Sequence, residues 1–184
     1  MRWLRGAALG MAVALAGPAA AEIVLFGGPS FLGMVAADDV SSVKSELLRG
    51  ASPNAADSRG QTPLMIAAAN GNGEMTGLLL RHGARVGDAD ALGNTALIRA
   101  VESGADEVVD QLMAAGANVN KANRQGVTPL MAAARAGRDD FVDRFLKSGA
   151  KVDQLDFAGR SALAWAQDGR NANVVRLLKA AGAR

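Results

Sequence analysis

From residue 60 onward the apolar positions come as pairs of short clusters bounded by polar turn residues, and the arrangement recurs with a period of 33. Gly60, Gly93, Gly126 and Gly159 mark the period. A hydroxyl follows two residues after each, at Thr62, Thr95, Thr128 and Ser161. Then come Leu64, Leu97, Leu130 and Leu163, and after them Ala67, Ala100, Ala133 and Ala166. Gly-Ala pairs close the units at Gly83, Gly116, Gly149 and Gly182, and Gly50–Ala51 holds the same register one unit earlier. Self-similarity at this length marks supersecondary units that stack on one another.

Each repeated residue has a local task. Asp57, Asp90, Asn123 and Asp156 stand three before the marker glycines, the first and fourth positions of a β-turn. The Thr or Ser is placed to cap a helix N-terminus, and Pro63 and Pro129 sit at its first position, where a missing N–H costs nothing. Leu64 and Ala67 share a helix face, and the small Ala lets a neighbouring helix approach. Gly71, Gly104 and Gly137 end that short helix. A second helix follows, with stripes such as Met75–Leu78–Leu79 or Val108–Val109–Leu112–Met113. Each unit thus reads turn, helix, turn, helix, extended return.

The pattern changes at both ends. Val35–Arg49 reads as a worn first unit, with Val40, Val43, Leu47 and Leu48 along one face. In the last unit the position of Ala68, Val101 and Ala134 becomes Gln167, and that of Gly71 becomes Arg170. Polar residues at a stacking position suit a capping unit. Residues 22–34 read as a flap, a strand-like Ile23–Phe26 followed by a loop. Residues 1–21 read as a secretory signal peptide: Arg2 and Arg5, an apolar Ala7–Ala16, then Ala19–Ala20–Ala21. Its apolar run is too short for a ~30 Å hydrocarbon core. Cleavage is expected after Ala21, with release into a bacterial periplasm and no membrane contact afterwards. The units are then 35–59, 60–92, 93–125, 126–158 and 159–184.

This pattern resembles the ankyrin repeat. "GQTPLMIAAANGNGEMTGLLLRHGARV" at Gly60–Val86 and "GVTPLMAAARAGRDDFVDRFLKSGAKV" at Gly126–Val152 carry the likeness, which extends over Val35–Arg184. It implies an all-α solenoid of stacked helix-turn-helix units with β-turn tips. It also implies protein binding through a concave face made of the tips and first helices. The family's T-P-L-H-x-A histidine is replaced by Met65, Ile98, Met131 and Ala164. The resemblance therefore implies that a hydrogen-bond network between neighbouring units is missing here.

Composition narrows the chemistry. The chain of 184 residues has 39 alanines but only 5 Phe, 2 Trp and no Tyr, which suits closely packed helices. It has no cysteine, so disulfides and thiolate sites are excluded, and its one histidine, His82, leaves little for His-based catalysis or a metal site. His82 reads as a helix-end residue, and the acidic pairs Asp106–Glu107 and Asp139–Asp140 fall where they favour a helix N-terminus. Removing residues 1–21 leaves 18 Lys+Arg against 18 Asp+Glu, so the pI near 9.4 gives no argument for nucleic acid.

No nucleophile, base and orienting group are readable together. A non-catalytic, monomeric protein-binding module without cofactor or metal is expected. A small-ligand binder or enzyme using the groove, and an envelope scaffold tethered by a retained leader, remain alternatives. The candidate contact residues are Arg59, Leu92, Arg99, Arg124, Gln125, Arg135, Phe157 and Arg160, with Asn94 beside them. Phe157 and Leu92 are turn-tip anchors. The arginines form a ladder suited to an acidic partner, whereas Glu74, Asp106, Glu107, Asp139, Asp140 and Asp143 fall on the second helices. Arg99 is expected to lay its stem over the helix with its guanidinium in water, and Trp165 to pack.

Overall fold

The computed structural model describes residues 30–183. The expected signal peptide, its cleavage point after Ala21 and the first part of the flap lie outside the described residues. Among the described residues ten helices pair in chain order: α1 (Phe31–Ala36) with α2 (Val40–Leu48), α3 (Pro63–Asn70) with α4 (Gly73–Arg81), α5 (Ala96–Ser103) with α6 (Asp106–Ala114), α7 (Pro129–Ala136) with α8 (Asp139–Lys147), and α9 (Ala162–Asp168) with α10 (Ala172–Ala180). Isolated antiparallel bridges at Ala89–Thr95 and Leu155–Ser161 close two of the turns, and the described residues form no longer strand.

The local signals act as their chemistry requires. Thr62, Thr95, Thr128 and Ser161 cap α3, α5, α7 and α9, each hydroxyl accepting from the backbone N–H three residues on at 3.2–3.4 Å. Gly71, Gly104 and Gly137 end the first three of these in the left-handed conformation. At the equivalent positions of the outer units, Asp38 and Arg170 adopt the same conformation at φ 56° without being glycine. Asp38 tolerates it as a short polar side chain. Arg170 carries strain that its exposed place at the end of the stack accommodates.

The core runs through the stack as one body. The first helices pack in series, α1 on α3, α3 on α5, α5 on α7 and α7 on α9. Ala67, Ala100, Ala133 and Ala166 are fully buried at these contacts. Phe141 and Phe145 supply the largest buried side chains, from α8. Met65, Ile98 and Met131, in place of the family's histidine, are buried as packing residues. The units are bridged by other means. Adjacent tips are joined by backbone bonds from Ala91 N to Arg59 O (2.7 Å), Arg124 N to Leu92 O (2.9 Å) and Phe157 N to Gln125 O (3.0 Å). Asn123 Nδ2 also donates to Asn94 Oδ1 at 2.9 Å.

The N-terminal unit begins earlier than its sequence suggests. Residues 31–34, assigned to the flap, are the start of α1, capped by Ser30 and anchored by buried Phe31 and Val35. Phe31 stands where Leu64 stands one unit later, so the aromatic fills the position the repeat gives to Leu. Leu48, expected on the buried face of α2, is 72% exposed, and Val43 and Leu47 fill that face with Val40 packed half-buried beside them.

Candidate functional site

Four equivalent turns project along one edge of the stack, and the first residue of each turn organises it. Asp57 Oδ1 accepts from the N–H groups of Arg59 and Gln61, Asp90 Oδ1 from Leu92 and Asn94, Asn123 Oδ1 from Gln125 and Val127, and Asp156 Oδ1 from Ala158 and Arg160, all at 2.8–3.0 Å. One oxygen thus satisfies two turn donors at every tip. The second side-chain atom is left over, and its use separates the tips.

At the second tip Asp90 Oδ2 accepts from Arg99 Nη2 at 2.7 Å. At the fourth, Asp156 Oδ2 accepts from Arg160 Nε at 3.0 Å and from Trp165 Nε1 at 3.1 Å. Arg99 and Trp165 occupy the same place in their units, nine residues after the aspartate. The Arg160 guanidinium carbon lies 3.6 Å from the Trp165 ring centroid, a cation–π contact that fixes both side chains. Burial pushes the carboxyls of Asp90 and Asp156 up. The Arg99 hydrogen bond with the Asn94 and Leu92 amides at one, and the Arg160 and Ala158 donors at the other, more than offset it, so both lie below the usual carboxylate range.

Two grooves result. Arg59, Gln61, Asp90, Ala91, Leu92 and Arg99 line one of about 520 Å³. Arg124, Gln125, Asp156, Phe157, Arg160 and Trp165 contribute to another of about 610 Å³. Phe157 is 81% exposed and Leu92 64%, so both expected anchors stand in solvent at the tips. Arg124 and Gln125 are exposed on the third tip.

Several expectations change. The Arg99 guanidinium is not in water but bound to buried Asp90. Arg160 is likewise held by Asp156, and Arg135 reaches Glu102 at 3.4 Å. Among the described residues Arg59 and Arg124 form no ion pair, so the ladder reduces to two arginines with uncompensated charge. Asn94, placed on the contact face, is buried and serves the tip network. Trp165 packs as expected, but its ring also lines the groove.

The opposite face is of mixed sign rather than acidic. Arg138 and Arg144, beside the expected acidic residues, bind Asp106 at 2.9 and 3.0 Å, and Arg144 also binds Asp110 at 2.8 Å. These pairs join α6 to α8. Lys147 pairs with Asp143 on α8 itself.

The pairing of Asp with its partner nine residues on went unread, although the sequence carries a signal for it. Asp90 and Asp156 are 66 residues apart, as are Arg99 and Trp165, Pro63 and Pro129, and Asn54 and Asn120. The last pair makes matching bonds, Asn54 to Arg85 N and Gly83 O, Asn120 to Lys151 N and Gly149 O. A two-unit period therefore lies over the 33-residue one.

Among the described residues no group of acidic or histidine side chains is arranged to hold a metal, and no helix is long and apolar enough to cross a membrane. Among curated proteins no relative matches the chain. The family model of ankyrin repeats, in three copies, matches residues 33–123 and 106–184. Proteins of this kind are in general protein-protein interaction modules. With its capped helix pairs, hydrogen-bonded tips and matched residues 33–184, the chain belongs to the ankyrin-repeat family.

Proposed function

We propose that the chain is a non-catalytic periplasmic protein that binds a partner protein through the turn tips and first helices. The observation that carries this reading is the pairing of exposed apolar and cationic side chains on a braced edge. Phe157 and Leu92 stand in solvent beside Arg124 and Arg59. The buried Asp90 and Asp156 fix the side chains beneath them. Apolar anchors in a pre-organised setting lose little conformational freedom on binding.

The partner is one with an acidic surface. Arg99, Arg135 and Arg160 are balanced by Asp90, Glu102 and Asp156, and the attraction falls to Arg59 and Arg124. Changing both to Glu is expected to slow association and flatten its salt dependence, because steering acts over a Debye length of ~8 Å at physiological ionic strength. Stopped-flow association with a partner captured from periplasmic extract, alongside urea unfolding, checks this. An unchanged rate at every ionic strength contradicts the electrostatic reading. Arg160 is unsuited to this test, since its loss also breaks the Asp156 cluster.

The location rests on the basic–apolar–alanine order of residues 1–21. The intact mass of protein from the periplasmic fraction should correspond to residues 22–184. A mass that includes Met1–Ala21, recovered with membranes, contradicts release.

A further inference from the structure

The two grooves are chemically alike and lie two units apart. Each takes from one tip an arginine that forms no ion pair among the described residues (Arg59, Arg124), an exposed apolar side chain from the next (Leu92, Phe157) and a glutamine amide (Gln61, Gln125). Beneath each lies a buried aspartate held by a donor from the following first helix. The intervening tip lacks this base. Asn123 turns its amide to Asn94, and Ala132 stands where Arg99 and Trp165 stand. The buried aspartate and its donor keep the 66-residue spacing, whereas Arg59 and Arg124, and Leu92 and Phe157, stand 65 apart, so the two grooves share their chemistry with the arginine and the apolar residue offset by one turn position.

Resting on the reading of the tips as a protein-binding surface, we infer that the partner presents an extended acidic segment with two carboxylate–apolar pairs, one for each groove. The charge is set by Arg59 and Arg124, and the apolar component by Leu92 and Phe157. The spacing follows from the stack. Successive first helices packed at ~8–10 Å put the grooves roughly 16–20 Å apart. An extended chain rising ~3.3 Å per residue covers that distance in about five or six residues.

The test uses the purified full-length chain and fluorescein-labelled peptides in a Gly/Ser background, read by anisotropy. One peptide carries two Glu-Leu pairs starting about five residues apart, matched to the strand rise. A second carries them adjacent, and a third carries one pair. The matched peptide is expected to bind at least ~10-fold more tightly than either of the others, since the second contact becomes intramolecular. Arg59→Ser and Arg124→Ser should each reduce it to single-pair affinity. Equal affinities for the three peptides, no binding of any, or an Arg59→Ser variant that binds as wild type overturns the inference. Partner capture that persists alongside such a failure leaves the tip-surface reading standing and removes only the two-groove segment. Loss of both removes both.

Discussion

Replacing Asp156 with Ala is expected to destabilise the protein by roughly 2–4 kcal/mol, the cost of leaving several donors unpaired around a lost buried carboxylate. Four donors depend on it: the amides of Ala158 and Arg160, Arg160 Nε and Trp165 Nε1. The figure falls below that for a fully buried pair because the Arg160 side chain is 40% exposed and regains water. Asp57→Ala is the control. It removes the same two turn bonds to Arg59 and Gln61 without a cation or indole, so about 1 kcal/mol is expected. Urea unfolding of the two variants reads the difference, and equal midpoints would show that the Oδ2 network contributes nothing.

The same carboxyl sets an acid dependence. Its folded-state pKa lies below the ordinary 3.8, so its contribution is present above that pH and is lost as the pH falls through the lowered value. Wild type should therefore lose stability below about pH 4 more steeply than Asp156→Ala.

Gly126→Ala should cost roughly 2–4 kcal/mol, against about 1 for Gly159→Ala. Both glycines are left-handed, at φ 79° and 77°, so both substitutions carry the same backbone penalty. They differ in what a Cβ meets. At Gly126 it would stand 2.8 Å from Phe157 N and 2.9 Å from Asp156 Cα; at Gly159 it meets nothing within 4 Å. The obstructing atoms are backbone of the next tip, held by the Phe157 N to Gln125 O bond, and cannot move aside without breaking it. Thermal unfolding measures both. Equal losses would mean that the tips are not packed as described.

What the sequence made legible is what acts over a few residues. Thr62 and Thr128 cap their helices, and Pro63 and Pro129 open them, because those effects need only the adjoining turn. The first helix escaped because Phe31–Ala36 has no Thr cap, no small Ala at the packing position and no left-handed glycine after it. Its evidence is burial of Phe31 and Val35, which only the packed stack supplies. The candidate face was legible by register, since a 33-residue spacing puts Leu92 and Gln125 at equivalent turn positions. Which of its arginines are already engaged by a carboxylate was not. That depends on Arg99 reaching Asp90 and Arg160 reaching Asp156, choices made by side-chain geometry around a buried oxygen. The sign of the second-helix face depends on side-chain geometry in the same way: Arg138 and Arg144 cross from the next unit to Asp106 and Asp110.

Hydroxyl-radical footprinting with and without the captured partner tests the binding surface most directly, because it reads individual exposed side chains. Three large apolar residues serve as reporters: Phe157 and Leu92 on the tips, and Leu48, 72% exposed, at the end of α2. Partner binding should protect Phe157 and Leu92 from oxidation and leave Leu48 unchanged. Protection of Leu48 with Phe157 and Leu92 still oxidised at their free rates would place the partner elsewhere and contradict the account.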